Sequence, residues 1–132
     1  MAAEIEERFE AIEECYEFML AYAAQGLPSD KGSESGKQVR EFLTRAVNAL
    51  SGLAESCGEA MGDDRPAFLA VLERDARDSL AAVELVLAQP EISSQLIDNL
   101  NASVHLRALL TDVFLLGEVL RARQVAALSA AS

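Results

Sequence analysis

Apolar residues recur every three or four positions along most of the chain, and each such run predicts one buried face of an α-helix. In the first run, about Ala3 to Gln25, the seam is Ile5, Phe9, Ile12, Tyr16, Met19 and Ala23, while Glu6, Glu10, Glu13, Glu14 and Glu17 lie off it. Gly26 and Leu27-Pro28 supply a left-handed stop and a residue that cannot continue the helix. The stretch of about 28–37 is small, polar and rich in helix breakers, which predicts a mobile surface loop.

The second run, roughly Lys37 to Cys57, repeats the spacing with Val39, Phe42, Ala46, Leu50, Leu53 and Cys57. Gly58, Gly62 and Asp63-Asp64 close it, with Asp64 placed as an N-cap and Pro66 in the first turn of the third run. From about Arg65 to Ala88 the line is Phe68, Leu72, Ala76, Leu80, Val83 and Leu87, and Pro90 marks its end. The fourth run, about Glu91 to Gln124, is the longest and most apolar. Leu106, Leu109, Leu110, Val113, Phe114, Leu116 and Leu120 wrap much of its circumference, as in a helix that is central or covered by a partner. The residues of about 126–132 are expected to fray.

These four runs predict an all-α fold: an antiparallel four-helix bundle with a long C-terminal helix, in one domain spanning residues 1–132. Period-two alternation of β-branched residues, the mark of strands, is missing, and so is any repeat of 20 to 50 residues.

Composition narrows the function more than it names it. The formal net charge of −11 opposes binding to nucleic-acid phosphate and to anionic lipid, both of which need clustered Lys and Arg. The N-terminus is acidic from Glu4 onward, unlike an export signal, and the longest charge-free stretch, Phe18 to Ser29, is far short of a membrane span. Cys15 and Cys57 fall on different runs and make neither a CxxC site nor a disulfide framework. A cytoplasmic protein with reduced thiols, bound to neither membrane nor nucleic acid, is the expectation.

Candidate chemistry is sparse. The single histidine, His105, excludes Glu-x-x-His di-iron sites by count, no metal-ligand set or cofactor motif stands out, and no glycine-rich phosphate cradle is visible. No metal, cofactor or catalytic set is therefore assigned. On a continuous fourth helix, Asp98, Asn101, His105 and Asp112 form a narrow polar strip, the outer two about 21 Å apart and unable to share an ion. Histidine phosphotransfer domains are four-helix bundles of similar size with an exposed mid-helix histidine in a motif resembling His-x-x-Lys-Gly. Here the residues read His105-Leu106-Arg107-Ala108-Leu109, with the basic residue one place early and leucine in the glycine position.

The expected function is non-enzymatic: a helical adaptor, regulator or chaperone-like protein acting through protein–protein contact, as a homodimer with a further protein partner. The expected dimer surface is Leu106, Leu110, Val113, Phe114, Gly117 and Leu120, with Gly117 permitting close approach. Phosphotransfer through His105 and a small-ligand-binding bundle are the alternatives.

Overall fold

The computed structural model describes residues 2–131, and among them every regular element is a helix: α1 (Ala2–Ala24), α2 (Glu34–Leu50), α3 (Leu53–Met61), α4 (Phe68–Leu87), α5 (Ser94–Ala102) and α6 (Val104–Ala131). The all-α expectation stands, but six helices replace the four expected. The second run breaks at Ser51-Gly52, where Gly52 adopts φ +82° and the Ser51 N–H closes the last turn onto the Val47 carbonyl at 3.0 Å. The fourth run breaks at Ser103, whose hydroxyl accepts the Leu106 N–H at 3.3 Å and so opens α6 as a new helix.

Two other boundaries differ from expectation. The loop predicted over 28–37 is shorter, because Ser33 caps α2 by accepting the Gly36 N–H at 3.0 Å and helix begins at Glu34. Asp64 does not cap α4, whose N-cap position is Ala67 without a side-chain bond; its carboxylate instead pairs with Arg123 of α6. The tail expected to fray is helical to Ala131, and Ser132 lies outside the described residues.

α1 lies against α2 and α5, α4 lies against α2 and α6, and α1 meets α6 only thinly. Arg8, Glu14 and Phe18 of α1 face Ala49, Arg45 and Phe42 of α2, so these two helices run in opposite directions. The core joins Ile5, Ile12 and Met19 of α1 to Leu43 of α2, Leu53 of α3, Leu72 and Val83 of α4, Ile97 of α5 and Leu109 and Val113 of α6. Its seam on α1 is rotated from the predicted one: Cys15 and Tyr22 are buried, whereas Tyr16 and Ala23 are half-buried. Tyr22 is tolerated there because its hydroxyl donates to the Ile92 carbonyl at 2.7 Å.

Two guanidinium groups hold the joints. Arg8 reaches across from α1 and donates to the carbonyls of Asn48, Ala49 and Ser51 at 3.2, 2.9 and 2.6 Å, satisfying the frayed end of α2 where the helix dipole favours a cation. Arg40 of α2 does the same for α4, donating to Leu87, Gln89 and Pro90 carbonyls, while its Nε donates to Asp30 at 2.6 Å. Asp30, buried, also accepts the Ile92 N–H at 2.7 Å, so one carboxylate ties the α1–α2 loop to the α4–α5 loop. Arg40 beside it holds its carboxyl below the usual carboxylate range.

Candidate functional site

Because α6 leans on α4 and only grazes α1, a groove opens between the N-terminal half of α1 and the C-terminal half of α6, with a volume of about 470 Å³. Its apolar lining is Ile5 and Phe9 of α1, Ala60 of α3, and Gly117, Leu120 and Ala127 of α6. Gly117 is buried at this point, and a Cβ there would sit at ordinary contact distance, 3.6 Å, from the Arg121 guanidinium. From Gly117 to Ala127 the α6 wall runs for about 15 Å, close to three helical turns.

The two rims differ in charge. Glu6, Glu10 and Glu13 stand along α1, one turn apart, because a spacing of four and three keeps them in register beside Ile5, Phe9 and Ile12. None of the three makes an ion pair among the described residues. Arg121 and Arg123 stand on the α6 side, but Arg121 is paired with Glu118 at 2.6 Å and Arg123 with Asp64. The groove therefore presents an oily floor beside an acidic rim that no ion pair among the described residues neutralises. Its lining contains no Ser, Cys, His or Lys, and so no Ser–His or Cys–His pair.

The sequence-predicted residues are scattered by the break at Ser103. Asp98 and Asn101 lie on α5, His105 on the first turn of α6 and Asp112 two turns further on, so they are not a strip on one helix. Asp98 and Asn101 line a shallow depression with Tyr16, Arg107 and Phe114. His105 is exposed and sits at a helix start, not mid-helix; only its backbone is engaged, its carbonyl accepting the Ser79 hydroxyl at 2.9 Å.

Asp112 is buried against α4, its Oδ2 without a hydrogen-bond donor, and the Asp75 carboxyl is its neighbour. Burial first, and then Asp75, push its carboxyl up to about 7.

The expected dimer surface is largely spent inside the chain. Leu106, Leu110 and Val113 belong to the core, Gly117 and Leu120 line the groove, and Phe114 alone of the six is exposed. The reason is geometric: α6 turns Leu106, Leu109, Leu110, Val113 and Leu116 toward the rest of the chain, chiefly α4 and α5, and leaves Phe114 outside. What α6 does expose is a different set, including Leu115, Val119 and Val125.

Cys15 and Cys57 are free and buried, and burial pushes their thiols up to about 12 and about 11, which leaves them protonated at neutral pH. Among the described residues no three His, Cys, Asp or Glu side chains gather as metal ligands, and no helix is long and apolar enough to cross a membrane.

The α1 glutamates are visible in the sequence as a face of the first helix, whereas nothing in the sequence marks Asp75, Arg121 or Arg123. The signal for the rim is present in the spacing of Glu6, Glu10 and Glu13, and Gly117 and Leu120 stand out on the opposing wall, but nothing local marks the two as facing each other. Comparison with protein-family models, with curated proteins and with solved structures gives no match.

Proposed function

We propose that this chain is a non-enzymatic interaction module whose α1–α6 groove receives an amphipathic helix of a partner protein, apolar on one face and carrying Lys or Arg on the other. The observation behind it is the pairing of an apolar floor with three glutamates that have no ion-pair partner among the described residues. An amphipathic helix answers both features, placing side chains at i, i+4 and i+7 on the floor and cations along the rim. A wall of about 15 Å suits about three turns of such a helix. A second copy of this chain is a poorer occupant, since net charge −11 on both partners opposes it. Enclosed small-ligand sites converge polar groups on the ligand, whereas here they stand along the rims. The two free, buried thiols accord with a reducing, cytoplasmic setting.

The test is fluorescence anisotropy with a labelled helical peptide of about 18 residues, leucines on one face and lysines on the other, against the same peptide with glutamates in place of lysines. The lysine peptide is expected to bind, more weakly as salt rises. A Glu6→Gln, Glu10→Gln, Glu13→Gln variant should bind it about tenfold more weakly, the sum of three exposed charge pairs. Equal binding of both peptides, or an unchanged affinity in the triple variant, refutes the proposal.

A second reading rests on a separate observation, the exposed Leu115, Val119 and Val125 of α6. A homodimer covering that face, in place of the surface first expected, would appear as twice the chain mass in light scattering, and Val119→Lys would return it to a monomer; a wild-type monomer at millimolar concentration refutes it.

A further inference from the structure

The contact between α4 and α6 contains a pair of carboxyl groups, which a seam between two packed helices does not ordinarily hold. Asp112 of α6 is only 4% exposed, its Oδ2 finds no donor, and the group beside it is the carboxyl of Asp75 on α4. Two ionised carboxylates in that position repel and leave lone pairs buried without partners. One proton removes both faults at once, because the protonated oxygen donates to its neighbour and the pair carries a single negative charge.

No cation is placed to do the proton's work. Among the described residues, Asp75 of α4 is the titratable group that acts on Asp112. Arg74, Arg77 and Asp78 of α4, Asp98 of α5, and His105, Arg107 and Glu118 of α6 are all exposed. With only two carboxyls present, the cluster also falls short of a metal-ligand set.

We propose that a proton shared between Asp75 and Asp112 latches α6 onto α4 and thereby sets the width of the α1–α6 groove. The same seam is closed on one side by the Ser79 hydroxyl on the His105 carbonyl. Beyond Asp112, toward the groove, α6 is tied to the α3–α4 loop by the exposed ion pair Arg123–Asp64, which holds weakly. Loss of the proton drives the two helices apart at Asp112, little more than one turn before the groove wall begins at Gly117. Burial and the neighbouring charge bring this loss to about pH 7, within the range that living compartments span.

The sign follows from linkage. A carboxyl whose folded value lies above its unfolded value of 3.8 adds stability that is complete below that value and is lost as pH rises through about 7. The role assigned to the groove rests on the reading above, but the latch itself does not.

The test compares wild type with Asp112→Asn and Asp75→Asn, each permanently neutral at one position and able to donate from its amide. Urea unfolding is followed by circular dichroism from pH 5 to pH 8, and the lysine peptide is titrated at both ends of that range. The wild-type unfolding constant should rise, relative to Asp112→Asn, by about tenfold per unit between pH 5 and pH 7, as one proton is released. Peptide affinity should change across about pH 7, where the folded protein loses the proton, in wild type and stay level in both variants. Parallel pH profiles for wild type and Asp112→Asn overturn the latch. A latch seen in unfolding with peptide affinity independent of pH overturns its link to the groove. Absence of peptide binding at every pH counts against the groove's proposed role and leaves the unfolding comparison to judge the latch.

Discussion

Replacing Asp30 by alanine should be among the most damaging changes to a polar side chain in this molecule. The carboxylate is 7% exposed and accepts from Arg40 Nε at 2.6 Å and from the Ile92 N–H at 2.7 Å. Removal leaves the Ile92 N–H buried without an acceptor, at about 1–3 kcal/mol, and strips a half-buried guanidinium of its charged partner, at a similar figure. The two losses share Arg40 and will not add in full, so about 4 kcal/mol is expected. Asp30→Asn keeps an oxygen for Ile92 and should lose only about 1–2 kcal/mol. The chain has no Trp, so urea unfolding is best followed by circular dichroism; at a slope of about 2 kcal/mol per molar, the alanine variant should shift its midpoint by about 2 M. The pH dependence checks the cause. Because Arg40 lowers the Asp30 carboxyl, its stabilisation is present above the unfolded value of 3.8 and is lost as pH falls below it, a component that Asp30→Asn should lack. A loss under about 1 kcal/mol in the alanine variant, or equal losses in both, would refute the reasoning.

Two glycines offer a matched pair. A Cβ on Gly36 would lie 1.7 Å from the Asp30 carbonyl oxygen, which backbone cannot vacate, so Gly36→Ala should lower the melting temperature by roughly 10 °C or prevent folding. A Cβ on Gly58 crowds the Arg65 guanidinium at 3.1 Å, which can swing away, and meets Leu69 at an ordinary 3.8 Å, so Gly58→Ala should be within about 1 kcal/mol of wild type. Arg8→Met removes the donor that closes the end of α2 and should reduce urea stability by about 2 kcal/mol; a change near zero would mean that water replaces it fully.

The helices were legible because burial imposes a period on sequence: Ile5, Phe9, Ile12 and Met19, or Leu72, Ala76 and Val83, are in the core as their spacing requires. The breaks were not, since Leu50 and Leu53 keep helical spacing straight across Gly52, and Ser103 interrupts no apolar period. One such break separates residues that a continuous helix would align, so Asp98 and His105 share no strip. The groove and the Asp75–Asp112 pair bring together residues tens to more than a hundred positions apart, and no local pattern encodes which helix faces which. Arg8 and Arg40 illustrate the same limit: in sequence they are ordinary helical arginines, and only the fold aims them at the ends of other helices.

The most direct measurement of the central claim is the amide spectrum of the 15N-labelled protein during titration with the lysine-faced peptide. Shifts should concentrate at Ile5 to Glu13, at Ala60 and from Gly117 to Ala127, and should be absent with the glutamate-faced peptide. Shifts centred instead on Tyr16, Asp98 and Phe114, or spread without focus over the acidic surface, would contradict it.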